Sequence, residues 1–100
     1  MANSTDYQFE DVEVVIDGIP YLASGLITVE YVIDPADPSV GIMHDSAEVY
    51  GYGVADIEVE DEYGDILSII VRPGTDEHAQ IVRGLDRDYV EEACRIAYFD

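Results

Sequence analysis

The sequence predicts an α+β domain, in which an antiparallel sheet of about four strands packs one face against one or two C-terminal helices. Two observations favour this class. Polar and apolar residues alternate through three segments, a fourth segment before residue 72 is rich in β-branched residues, and apolar residues then recur at helical spacing near the end of the chain. At 100 residues the chain has the length of one domain, so we expect a single domain over 1–100.

The first two strands are predicted from alternation on either side of a turn signal. Between Phe9 and Asp17 one side carries Val12, Val14 and Ile16, and the other carries Asp11, Glu13, Val15 and Asp17. Asp17-Gly18 favours a tight reversal. A second strand is predicted from Tyr21 to Ile33, with an irregularity such as a bulge at Ser24-Gly25. Together these segments predict an antiparallel hairpin.

A loop with two prolines is predicted over Asp34 to Ser46, followed by a third strand from Ala47 to Glu60. The predicted core side of this strand is Val49, Gly51, Gly53, Ala55, Ile57 and Val59, and the solvent side is Glu48, Tyr50, Tyr52, Val54, Asp56, Glu58 and Glu60. The small core-side residues favour close packing of a helix. Gly64 marks a turn, and Ile66 to Val71 forms a fourth strand.

Two helices are predicted after the sheet. Thr75 is a suitable cap for a short helix through Arg83 that Gly84 ends, although the segment QIVRGL also fits a strand. Asp86 or Asp88 begins the last helix, whose apolar stripe is Val90, Ala93, Cys94 and Ala97. With Asp86 as the cap, Leu85 and Val90 would pack against each other across the helix start.

Charge is the most unusual property of the chain. Acidic residues outnumber basic ones by 23 to 4, which gives a net charge of −19. The bases are Arg72, Arg83, Arg87 and Arg95, so residues 1–71 contain 16 acids and no base. Repulsion among these acids destabilises the compact state. Their retention therefore indicates solubility, adaptation to salt, or a cationic partner.

The segment ADIEVEDEYGD places acids at every second position, and alternate residues of a strand lie about 6.6 Å apart on one side. We therefore predict a row of carboxylates on the solvent face, with tyrosines beside it that suit a protein interface. The predicted partner-binding residues are Asp11, Glu13, Glu48, Tyr50, Tyr52, Asp56, Glu58, Glu60 and Glu62. A solvated face without a partner is the other interpretation of this pattern.

No motif for catalysis, a metal or a cofactor accompanies the acids. The segment DEYGDI lacks the calcium-loop pattern. His44 and His78, with no metal-ligand spacing to Cys94, are predicted to be surface residues, and Cys94 a buried apolar one. We therefore expect neither enzymatic activity nor a cofactor. The charge disfavours direct nucleic-acid binding, and the lack of a signal-peptide pattern or long apolar run favours the cytoplasm without a membrane partner.

The segment AEVYGYGVADIEVEDEYGDIL after a proline-bearing loop, followed by a helix with VEEAC, resembles small acidic accessory proteins of bacteriophages. The resemblance spans roughly Pro35 to Tyr98 and rests on Gly64-Asp65-Ile66 and on Val90 to Cys94. Some acidic phage proteins of this size block host defence by mimicking DNA against restriction or CRISPR complexes. The resemblance implies that context, and it carries over no active-site residue.

These observations favour a non-enzymatic acidic protein that occupies a basic nucleic-acid-binding surface of a host defence complex in the host cytoplasm, as a DNA mimic of the anti-CRISPR or anti-restriction type. One alternative is a phage structural or assembly protein whose exposed sheet edge pairs with itself, which leaves a homodimer open, or with a virion component. Another is a solvated acidic domain from a salt-adapted organism.

Overall fold

The computed structural model describes residues 3–34 and 46–99. Its elements are β1 (Asn3–Ile16), β2 (Ile19–Asp34), β3 (Ser46–Glu60), β4 (Ile66–Val71), α1 (Asp76–Gly84) and α2 (Arg87–Phe99). The strands form one antiparallel sheet in the order β1-β2-β3-β4, and both helices pack on one of its faces. The predicted fold class is confirmed. Most of the predicted 34–46 loop, including His44, lies outside the described residues.

β1 and β2 form the predicted hairpin, although β1 begins at Asn3, before the predicted start at Phe9. Asp17 and Gly18 connect the strands with φ angles of 52° and 80°. Two consecutive residues with positive φ make the tight turn whose twist matches that of the flanking strands. The alternation of Val12, Val14 and Ile16 against exposed acids is also as predicted.

A bulge interrupts this hairpin where the sequence predicts an irregularity, but the additional residue belongs to β1. Glu10 and Asp11 lie opposite the single residue Ser24. Asp11 has a φ of 54°, and its N–H donates to Ser24 Oγ at 3.2 Å. Because the bulge changes the phase of the alternation, Phe9 and Val12 both face the core, while both acids remain exposed.

Two further bulges lie in β3 and overturn part of its predicted alternation. Gly53 and Val54 lie opposite Thr28, and Tyr50 has no cross-strand partner in β2. Between the bulges the phase is reversed, so Tyr52 faces the core and the predicted core position Gly51 faces the side chain of Glu30. Outside this segment the predicted core side of β3 is buried.

The helices cover the core face over β1, β2 and β3. Thr75 caps α1 by accepting a hydrogen bond from the His78 N–H at 3.2 Å, and the strand alternative for QIVRGL is wrong. Asp86 begins α2, because its carboxylate accepts from the Asp88 N–H at 3.0 Å. Val90 and Cys94 are fully buried, whereas Ala97 of the predicted stripe is exposed. The C-terminal end of α2, residues 96–99, therefore extends beyond the core.

α1 also contacts the free edge of β1. The side-chain amide of Gln80 accepts a hydrogen bond from the Val15 N–H at 2.9 Å and donates to the Val15 carbonyl at 3.3 Å. Because β1 is an edge strand, these bonds satisfy main-chain groups that no neighbouring strand would otherwise pair. None of the helices within 3–34 and 46–99 has the length and apolar character needed to cross a bilayer.

Candidate protein-binding surface

The sheet face opposite the helices, which we call the outer face, carries the predicted row of carboxylates. Asp56, Glu58 and Glu60 are all exposed, while the residues between them are buried. Since alternate residues of a strand point to the same side, these three side chains leave β3 in one direction. They form a row in the middle of the sheet, which we call the acidic ladder.

Uncharged side chains flank the acidic ladder on both neighbouring strands. Asp56 is paired with Leu26 of β2 and Ile70 of β4, and these aliphatic side chains are 45% and 54% exposed. Glu58 is paired with Ser24 and Ser68. Exposed aliphatic and hydroxyl side chains therefore lie on both sides of the ladder. A protein bound to the outer face could make apolar contacts with them as well as ionic contacts with the acids.

A second group of acids lies on β1, on the far side of β2. Glu13 is opposite Leu22, and Glu10 and Asp11 are exposed together at the bulge. Neighbouring strands lie about 4.8 Å apart, so β1 and β3 are separated by about 10 Å. Along the ladder, the outer face thus carries two rows of acids that are separated by the uncharged residues Leu22, Ser24 and Leu26 of β2.

A depression of about 440 Å³ lies between these two rows. Its lining includes Glu10, Asp56 and Glu58 together with Leu26, so carboxylates surround a partly apolar surface. Glu10 is absent from the predicted partner-binding residues because an uninterrupted strand would separate it from Asp11. Aspartate adopts a positive φ more readily than most residues. Asp11 was therefore the residue in the sequence that could indicate a bulge here.

The predicted residues at the other end of the outer face are only partly brought together. Glu48 and Tyr50 are exposed on the outer face of β3, upstream of the acidic ladder. Tyr52 is not, since it is half-buried and packs against the core on the helix side. Its predicted place beside Tyr50 is therefore wrong, and the physical cause is the pair of bulges that reverse the alternation between them.

Glu62 does not continue the ladder, because β3 ends at Glu60 and Glu62 lies in the turn. Asp61 organises that turn, as its carboxylate accepts from the N–H groups of Tyr63 and Asp65, both at 2.9 Å. Gly64 has a φ of 83° there, as the predicted turn requires. Asp61 is thus structural, whereas the side chains of Glu62 and Asp65 are exposed at the end of the sheet.

The arginines do not neutralise the acidic ladder. Arg87 contacts Glu91 at 3.4 Å and donates to the Val49 carbonyl at 3.0 Å, and Arg95 contacts Glu92 at 2.8 Å. The hydrogen bond from Arg95 lowers the pKa of Glu92. Within the described part of the chain these are the ion pairs, so no ladder carboxylate has a cationic partner there.

The helix side of the sheet contains a cluster of ionisable groups that favour their neutral forms. Burial raises the pKa of Tyr31 and of Cys94. Burial also raises the pKa of Tyr52, partly offset by the charge of Arg87. These groups lie where α2 packs on the sheet, on the face opposite the acidic ladder, and they contribute to folding and not to the outer surface.

We expect the free energy of unfolding to fall as the pH rises above 9.0 and then 10.0, the ordinary pKa values of cysteine and tyrosine. In that range the unfolded chain has released protons that folded Cys94, Tyr31 and Tyr52 retain, so the slope is negative. Urea unfolding between neutral and alkaline pH measures it. Tyr31→Phe/Tyr52→Phe should weaken the slope, whereas Tyr63→Phe/Tyr89→Phe, at exposed positions, should not. Parallel curves for the parent and the first variant would contradict this explanation.

His78 is buried, which corrects its prediction as a surface residue. Its Nε2 lies 2.6 Å from the Gly53 carbonyl oxygen, so the imidazole satisfies a main-chain group at a β3 bulge. Cys94 is buried with a free thiol, as predicted. In residues 3–34 and 46–99 no three His, Cys, Asp or Glu side chains form a group suited to a metal ion.

No protein-family profile, curated protein sequence or solved structure matches this chain.

Proposed function

We propose that this protein is a non-enzymatic inhibitor whose outer face binds a basic nucleic-acid-binding surface of another protein. The observation that carries the proposal is the unpaired acidic ladder on an uncovered sheet face. Residues 1–71 contain 16 acids and no base, and the two arginines that form ion pairs in the described structure, Arg87 and Arg95, contact acids of α2 instead. Cations that relieve this repulsion must therefore come from solvent or from a partner.

The spacing of the acids supports a partner that normally holds phosphates. The three ladder acids and the three β1 acids Glu10, Asp11 and Glu13 lie along the same stretch of sheet, about 20 Å long, so together they supply about one charge per 3.3 Å. Duplex DNA carries about one charge per 1.7 Å. The outer face therefore offers roughly half the linear charge density of a duplex, on a fixed scaffold. Such a surface favours rapid, salt-sensitive association with lysine and arginine grooves.

The depression beside the ladder gives the partner a specific contact. An arginine or lysine stem can pack on Leu26 while its charged end reaches Glu10, Asp56 or Glu58, all of which line the depression. Arginine is favoured because its planar group binds a carboxylate through two hydrogen bonds. The resemblance to acidic phage proteins supports the proposal that this partner belongs to a host defence complex of the cytoplasm.

A pull-down from a bacterial lysate, eluted with salt, tests the proposal. We expect the captured proteins to bind nucleic acid, and we expect this protein to displace duplex DNA from them. Raising the salt from about 0.05 to 0.3 M should weaken the complex by about tenfold or more, because screening reduces the attraction. Partners that bind no nucleic acid, or that keep their DNA in the presence of this protein, would refute it.

Circular dichroism in low-salt buffer is the control for this experiment. The inhibitor that we propose is folded there, so loss of binding at high salt reports on the complex. A domain that is acidic because of salt adaptation would instead unfold at low salt and refold as salt is added.

A further inference from the structure

β4 differs from the other strands because it contains no charged residue. Its sequence is ILSIIV, and it lies at an edge of the sheet. Ile66, Leu67 and Ile70 are 59%, 44% and 54% exposed, so aliphatic side chains are uncovered on both of its faces. Edge strands normally carry charges or proline that prevent pairing with another chain. β4 has neither, in a protein with 23 acids.

Charges of opposite sign lie at the two ends of β4. Glu62 and Asp65 are exposed in the turn before it, and Arg72 is exposed directly after it. Arg72 has no ion pair to any residue that the structure describes. When two copies of such a strand pair antiparallel, the basic end of each lies beside the acidic end of the other. Parallel pairing would place like charges together.

We propose that β4 is a self-association surface that pairs antiparallel with β4 of a second copy about a two-fold axis. The arrangement is isologous, so each copy contributes the same residues. An apolar groove of about 250 Å³ adjoins this edge and is lined by Ile16, Ile69 and Val71 among others. Leu67 of the second copy, which lies on the same face of the joined sheet, occupies this groove.

The high negative charge of the molecule favours β4 as the contact between two copies, because β4 contains no charged residue. Two chains of net charge −19 repel each other, and pairing through a neutral strand keeps their acidic surfaces apart while it forms main-chain hydrogen bonds. The joined sheet has eight strands, in which the two acidic ladders are separated by about 15 Å. Dimerisation therefore extends the outer face.

Sedimentation equilibrium of the full chain over roughly 1 to 500 µM tests this surface, since a small interface predicts a micromolar dissociation constant. We expect a dimer of twice the 11.1 kDa chain mass. Ser68→Lys places two lysines near the two-fold axis and should raise the dissociation constant at least about tenfold. The matched control is Ser4→Lys, an exposed position on the outer face of the opposite edge strand, which should leave the dissociation constant unchanged.

Charge reversal at the strand ends provides a second readout if Ser68→Lys fails to fold. Arg72→Glu should weaken the dimer about tenfold, and Asp65→Arg added to it should restore association. A monomer at all concentrations, or equal effects of Ser68→Lys and Ser4→Lys, would overturn the proposal. The inhibitory function is tested separately, because a monomer can still displace DNA, and because salt strengthens self-association while it weakens binding to a basic partner.

Discussion

We expect that replacing Asp56, Glu58 and Glu60 together with lysine abolishes binding to the proposed basic partner and leaves the protein folded. The loss exceeds about a hundredfold in affinity, which corresponds to roughly 2.7 kcal/mol. Three carboxylates are removed and three cations then face the cations of the partner. The fold is retained because the buried residues Ala55, Ile57 and Val59 are unchanged, and because the ladder acids have no ion pairs to lose within the described structure.

Isosteric neutral variants separate the ladder from the net charge of the molecule. Asp56→Asn/Glu58→Gln/Glu60→Gln removes three charges from the outer face, and Glu77→Gln/Asp88→Asn/Glu92→Gln removes three from the helices on the opposite side. We expect only the first set to weaken binding strongly, as measured by titration calorimetry with the captured partner. Equal weakening by both sets would show that total charge, and not the ladder, determines affinity.

Gly25→Ala produces the largest loss of stability that we expect from a single substitution, about 3 kcal/mol or more in the free energy of unfolding. A methyl group on Gly25 would collide with the main-chain oxygen of Asp56 and would lie 2.8 Å from Ile57 Cα. Because both atoms belong to the backbone of β3, the clash is relieved only if the two strands move apart. Urea unfolding measures the effect.

Gly53→Ala is the matched comparison for this effect. A methyl group on Gly53 would lie 3.2 Å from Cβ of the partly buried Thr28. We expect a clearly smaller loss of stability there, since a contact of 3.2 Å is relieved by a shift of a few tenths of an ångström, whereas the contacts at Gly25 are shorter. A Gly25→Ala protein as stable as Gly53→Ala would show that β2 and β3 are not in such close contact.

The strands, the β1–β2 hairpin and the ladder were predictable because they depend on local patterns. Alternation in β1 and β3 identifies one buried side, and Asp17-Gly18 and Gly64 mark the turns between antiparallel neighbours. Thr75 and Asp86 cap the helices through bonds to residues two or three positions away. Interactions of this range are encoded in short stretches of sequence, so they can be derived without knowledge of the rest of the fold.

The position of Tyr52 was not predictable in the same way. Whether it faces the core depends on where β3 receives additional residues, and that is set by its register against Thr28 and Glu30 of another strand. The burial of His78 has a related cause, since its partner is the Gly53 carbonyl at one of these bulges. The repeated glycines at positions 51 and 53 were the local signal for irregularity, but they do not specify its phase.

The amide of Gln80 imitates a short piece of β-strand, since it both gives and receives a bond at Val15. A strand of another molecule that pairs with that end of β1 must first displace the Gln80 side chain from Val15. Addition of strands to the sheet is therefore hindered at the β1 edge, whereas no such side chain pairs with the main chain of β4 in the described structure. A molecule blocked in this way tends to stop at pairs instead of extending into filaments.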